Sequence, residues 1–369
     1  GFSLGTEGER LGVKNCVNNG QLIPQFKLNE LDFGTMVGRA EYTDFENCSN
    51  SVPVTFSTSE IGFLYGGALA GLAKNSSLKK CTNSAAMTFE ESLNVKSYFY
   101  SSAVAAYSVS TTVLEDCTNS GDITFGKVDW AATRFTLGGV VGYGDNNAGQ
   151  VKGCSNSGNI TLQGSVAGSA NYGAAGGIAG RTAASVTGCG NTGKITSSIA
   201  TTAAEMALGG IAGSVYSLTV SDCRNEGEII YNVQTNESGF CKAFYLGGAL
   251  GAVIPSAAGE LGYENISNTA PIIVNGTPAA VAIKTGGAAG RNNASRDDMT
   301  DANRIAIGGV AGRVIPSATG ATTTMKGCSN SGSISAPDAG KIRYTAFGGV
   351  CGEIIAASLV QSGCSNSGD

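Results

Sequence analysis

The stretch Gly176-Gly177-Ile178-Ala179-Gly180, followed five residues later by Val186-Thr187-Gly188-Cys189-Gly190-Asn191-Thr192-Gly193-Lys194-Ile195, decides how this 369-residue chain is read. Its second half, the box Cys-x-Asn-x-Gly, returns at Cys16, Cys117, Cys154, Cys223, Cys328 and Cys364. Looser copies stand at Cys48 with Asn50, Cys81 with Asn83 and Ile266 with Asn268. Box starts lie 32 to 43 residues apart except for one gap of 62. Self-similarity at such a period marks units that bury their apolar faces only against their neighbours, so the chain stacks into an elongated body. The first half returns as Gly66-Gly67, Gly138-Gly139, Gly209-Gly210, Gly308-Gly309 and Gly348-Gly349, each followed by small or apolar residues; Ser101-Ser102 takes the place of one pair.

Strands follow from the apolar pattern. Three residues before the box Cys stand Val13, Phe45, Leu78, Leu114, Val151, Val186, Val220, Tyr263 and Met325; two residues after the box Gly stand Ile123, Ile160, Ile195, Ile229 and Ile334. Both sets are expected to point inward. Ahead of the glycine pairs the chain alternates with period two, at Phe63 and Tyr65, Tyr98 and Tyr100, Phe135 and Leu137, Met206 and Leu208, Phe244 and Leu246, Ile305 and Ile307, which also reads as inward strand positions. The expected fold is all-β: a parallel β-helix (β-solenoid) of about ten or eleven coils, about 50 Å long from the rung spacing. The box residues Cys117, Asn119, Cys154, Asn156, Cys189, Asn191, Cys223, Asn225, Cys328 and Asn330 are expected to stack as a Cys/Asn ladder. Asn suits a left-handed corner and its amide can bond the turn backbone, and the box Gly leaves room for the bend. Nine of eleven Cys lie in boxes, and side chains stacked in one direction rarely offer disulfide geometry, so free buried thiols are expected.

The unit pattern GGIAG, a short spacer, V-x-x-C-x-N-x-G-x-I resembles the Glug-motif repeats of bacterial surface proteins. That resemblance covers Val13 to Gly368 and implies parallel β-helical stacks of the kind found in adhesins and alongside extracellular peptidases. It is specific for architecture and does not fix a ligand.

The chain reads as a single solenoid domain, 1–369, with residues 1–12 capping one end. The long gap holds two glycine pairs, Gly286-Gly287 and Gly308-Gly309, which predicts a short coil at 286–308 without a box. Ordinary units carry further residues, such as Thr196 to Ala207 and Tyr231 to Ala243, expected as an extended or projecting face where binding surfaces tend to lie.

Charged residues make up only 14%, the net charge is −5, and His is absent. No basic footprint for nucleic acid exists, and no apolar run reaches membrane-spanning length. An extracellular or bacterial cell-surface location is expected for a monomer, with any anchor on a segment absent from this chain. Without His, Ser-His and Cys-His nucleophile pairs and His-ligated metals are excluded; no cofactor is expected. The densest acidic group, Asp297, Asp298 and Asp301, would need to converge on one point to hold calcium or act on a sugar, and reads as a solvated turn. Arg181, Arg291 and Arg313 each follow a G-x-x-G strand and Arg39 follows Gly38, and all four read as charges at strand ends. Phe99 and Tyr245 fall on the outward phase, and Tyr143 and Tyr216 follow the glycine strand; exposed rings of this kind stack on sugars or anchor protein partners. The functional expectation is a non-catalytic adhesion module that displays a variable face to a host or cell-surface protein or glycan. The alternative is a polysaccharide-active β-helix enzyme, lyase or hydrolase.

Overall fold

A computed structural model describes the chain outside residues 23–27, 58, 92, 127, 131–133, 146–147, 167–171, 202–204, 218, 234–242, 255–260, 277–303, 316–321, 337–343 and 355–358. Every described element is a strand, and every strand pairing is parallel. No described helix is long and apolar enough to cross a membrane. Five sheets run the length of a β-solenoid, numbered here in the order the chain visits them. Sheet 1 runs from Phe2–Leu4 to Cys351–Ile354, sheet 2 from Leu11–Lys14 to Leu359–Ser362, and sheet 3 from Val17–Asn18 to Ser365–Asn366; each has ten strands. Sheet 4 (Val54–Phe56 to Ile334–Ser335) and sheet 5 (Leu28–Phe33 to Tyr344–Gly348) have nine each. Residues 1–12 supply the first strands of sheets 1 and 2, in register with the next rung.

The box Asn forms an unbroken column. From Asn18 through Asn50, Asn83, Asn119, Asn156, Asn191, Asn225, Asn268 and Asn330 to Asn366, each Nδ2 donates to the next Oδ1 at 2.7–2.8 Å. The second Nδ2 hydrogen goes to the carbonyl two residues on, for example Gly193 at 2.9 Å from Asn191. The box Asn itself lies in a sheet 3 strand, not at the corner assigned to it from sequence. The left-handed corner is one residue before the Cys: Asn15, Asn47, Lys80, Asp116, Gly153, Gly188, Asp222, Asn265, Gly327 and Gly363 all have φ between 51° and 63°. Non-glycine residues other than Asn and Asp strain there.

The two halves of the motif are one contact. A Cβ on Gly139, Gly177, Gly210, Gly248, Gly309 or Gly349 would overlap the amide of the Asn in its own rung, so the second glycine of the pair exists to let the Asn column through. This waist divides the interior into two columns. One holds the box cysteines with the inward residues of sheets 1 and 2, such as Val141, Val151 and Val186. The other packs sheet 4 on sheet 5, with Ile123, Ile160 and Ile195 facing Phe135, Met206 and Leu246.

A further expectation fails. In the first two units the glycine pair is displaced by one residue: Gly67, not Gly66, aligns with Ser102 and Gly138. Counting back from the pair therefore chose the wrong phase, and the inward residues are Leu64 and Phe99 rather than Phe63, Tyr65, Tyr98 and Tyr100. The coil expected at 286–308 falls almost wholly outside the described residues, and the described strands on either side of it pair with one another. Gly247 pairs directly with Gly308, Leu250 with Ala311, Asn268 with Asn330 and Ile272 with Ile334.

Candidate functional site: a tyrosine and arginine crevice

After the glycine corner the chain turns sharply, so the strands of sheets 5 and 1 fold back against one another. The glycine inside each sheet 1 strand makes this possible. A Cβ on Gly180 or Gly213 would overlap the backbone of the sheet 5 strand one rung earlier, at Leu137 and Ala175. The outward side chains of the two sheets are thus brought together in a crevice running along the stack.

Register fixes three rows in it. Sheet 1 contributes Arg39, Leu72, Tyr107, Tyr143, Arg181, Ser214, Ala252, Arg313 and Glu353, one per rung. Sheet 5 contributes an inner row, Asp32, Tyr65, Tyr100, Thr136, Ala174, Ala207, Tyr245, Ala306 and Ala346. Its outer row includes Phe63, Tyr98, Arg134, Tyr172 and Glu205. Where the inner row is large, rings pack edge to face, as between Tyr100 and Tyr143 with centroids 4.9 Å apart, or stack, as between Tyr107 and Tyr143 at 5.5 Å. Where it shrinks to Thr136, Ala174 and Ala207, two arginines lie over the space. Arg134 sits 4.8 Å from the Tyr98 ring and 5.7 Å from Tyr172. Arg181 sits 5.2, 4.2 and 3.9 Å from Tyr143, Tyr172 and Tyr216. Each such contact contributes about 0.5–1 kcal/mol when partly exposed.

The carboxylates along the crevice already have partners. Asp145 accepts the hydroxyls of Tyr107 and Tyr143 at 2.8 and 2.7 Å. Glu41 meets Arg39 and Lys74 at 3.5 and 3.3 Å, and Glu353 meets the buried Arg313 at 2.8 Å. Burial, with Glu30 adding repulsion, pushes the Asp32 carboxyl up to about 6 despite Arg39 3.6 Å away. Burial also pushes the Tyr65 phenol up to about 12 and raises Tyr100, Tyr107 and Tyr143, so these hydroxyls are neutral donors at physiological pH. The crevice can stack flat groups and donate hydrogen bonds. The outer face of sheet 2 is different: there charges pair across rungs, Arg10 with Asp44, Lys14 with Glu46, and Glu115 with both Lys79 and Lys152.

Of the four rings singled out from sequence, Tyr143 and Tyr216 meet over Arg181 in the crevice. Tyr245 is in its inner row but 0% exposed, bonded through its hydroxyl to Arg313 and packed on Ala207, Ala252 and Ala306. Phe99 belongs to the core, also 0% exposed, against Phe89, Phe125 and Phe135, because the displaced glycine pair reversed the phase. Neither ring can meet a ligand. Asp297, Asp298 and Asp301 lie outside the described residues, among which no group of three or more Cys, Asp or Glu could hold a metal. The described cysteines are all free, and seven, including Cys117, Cys154, Cys189, Cys223 and Cys328, are buried. Tyr98, Tyr107, Arg134 and Tyr172 were missed; the signal was their shared offset from the glycine pairs once rungs are aligned. No family model, curated protein or solved structure matches the chain.

Proposed function

We propose that the protein is a non-catalytic binding module, secreted or held at a bacterial cell surface, that attaches to a host or cell-surface glycan or protein through this crevice. The observation that carries the proposal is the continuity of half-exposed tyrosines and arginines across adjacent rungs, about 4.8 Å apart, along one face. Tyr98, Tyr107, Tyr172, Arg181 and Tyr216 are partly exposed there. Tyrosine and arginine offer large contact area with directed donors and dominate binding surfaces. The stacked sheets beneath hold them rigidly, which reduces the ordering cost of association. The Glug-like repeat pattern supports the same reading.

Binding to glycan and extracellular-matrix panels, compared between the native chain and the Tyr172→Ala/Tyr216→Ala variant, tests it. Attachment should fall strongly while the unfolding midpoint changes little. Unaltered attachment would overturn the assignment of the crevice. One observation favours a polysaccharide-active enzyme as the second reading: a carboxyl titrating near 6 at Asp32 could donate a proton. Release of reducing or unsaturated sugar ends, abolished by Asp32→Asn, would establish it.

A further inference from the structure

The charges of the crevice do not balance locally. Its carboxylates Asp32, Glu41, Asp145, Glu205 and Glu353 each meet an arginine, a lysine or a pair of tyrosine hydroxyls. Arg134 and Arg181, on neighbouring rungs, form no ion pair among the described residues; they rest on ring faces and reach tyrosine hydroxyls, with no carboxylate to balance them. The Arg181 Nε is buried and finds no hydrogen-bond partner among the described residues, nor does Thr136 Oγ1 in the row beneath. Buried donors without acceptors are costly, and planar guanidinium forks match carboxylates and sulfates. The flanking rings supply flat apolar faces one rung to either side of each arginine, Tyr98 and Tyr172 about Arg134, Tyr143 and Tyr216 about Arg181.

We infer that the Tyr98–Arg134–Tyr172–Arg181–Tyr216 segment binds an acidic saccharide polymer, its uronate or sulfate groups on the two guanidiniums and its sugar faces on the tyrosines. The inference rests on the binding-module reading and names its ligand class. A net charge of −5 over the chain argues against nucleic acid, which needs an extended basic footprint.

The test measures binding of polygalacturonate, dextran sulfate and unmodified dextran, with polyglutamate and a single-stranded oligonucleotide as controls. At least one acidic polysaccharide should bind, weaken as salt is raised, and lose about tenfold or more in Arg134→Gln/Arg181→Gln. Arg181→Lys, which keeps the charge but not the fork, should lose less. Which of the two acidic polymers binds more tightly distinguishes uronate from sulfate. Dextran bound as well as the acidic polymers, with the arginine variant unaffected, sinks the acidic class and leaves the binding module standing. Polyglutamate or the oligonucleotide bound as tightly sinks the saccharide. No acidic polysaccharide binding at all overturns the inference, and if the Tyr172→Ala/Tyr216→Ala variant also attaches normally to surface panels, the module falls with it.

Discussion

Lys80 occupies a left-handed corner, φ 51°, that Asn fills in three other rungs and Gly in four. A lysine there carries a Cβ clash without the local hydrogen bonding that lets Asn tolerate the region. In the same column the Asn265 amide reaches Asp222 at 2.9 Å and the Asn47 amide reaches Asn15 at 3.3 Å. Lys80→Asn is therefore expected to raise stability by about 0.5–1 kcal/mol, read as a shift of the urea midpoint at constant slope. Asp32 makes the second residue-scale prediction. Its folded-state value, raised to about 6 by burial first and Glu30 second, exceeds the unfolded value, so the fold prefers the protonated acid. The associated stability is fully present below about pH 4 and is lost as pH rises through about 6. Asp32→Asn should remove that loss, gaining about 1–2 kcal/mol at pH 7 relative to pH 4 when the two proteins are compared by chemical denaturation. An unchanged pH profile would mean that Arg39 fully compensates the charge.

The strand and its column are the next scale. In Asn191→Ala, Asn156 loses its acceptor, Asn225 loses its donor and the Gly193 carbonyl loses its bond. The expected cost is about 1–3 kcal/mol, measured as a lowered unfolding midpoint, with the local amides exchanging faster than those two rungs away. The rungs, the Asn column and the inward Val and Ile of sheets 2 and 4 were legible in the sequence because the box has constant internal spacing, so the alternation of two adjoining strands could be counted from it. Sheet 5 was less legible. The segment ahead of each glycine pair had to be phased from the pair, and the shift from Gly66-Gly67 to Gly138-Gly139 inverted Phe99 relative to Phe135 without changing the composition of either strand. The crevice was not legible at all, since it depends on two sheets folding back on each other at a corner and on register between residues such as Tyr143 and Arg181 that no local pattern couples. Tyr231, read as part of a variable projection, instead stacks on Phe244 at 3.8 Å inside the core.

Over the whole molecule the thiols give a simple readout. Cys48, Cys81, Cys117, Cys154, Cys189, Cys223 and Cys328 are buried and free, whereas Cys16 is exposed and Cys351 and Cys364 are partly covered. Burial pushes Cys328 up to about 11 and raises Cys48, whereas hydrogen bonds from neighbouring thiols lower Cys81, Cys154 and Cys223, so inaccessibility of the sulfur is what all seven share. Titration of the native protein should therefore label Cys16 first and leave the seven unlabelled until denaturant is added; rapid native labelling of them would contradict the packing. The Asn column also has a sense: every amide in it donates toward the higher-numbered rung. In a crystal of aligned dipoles such order is collective, and one reversed member frustrates its neighbours along the line. Here the members from Asn50 to Asn366 are also pinned by their own backbone, through the second hydrogen donated two residues ahead. Orientation is thus stored redundantly, rung by rung, so an error at one rung stays where it occurs.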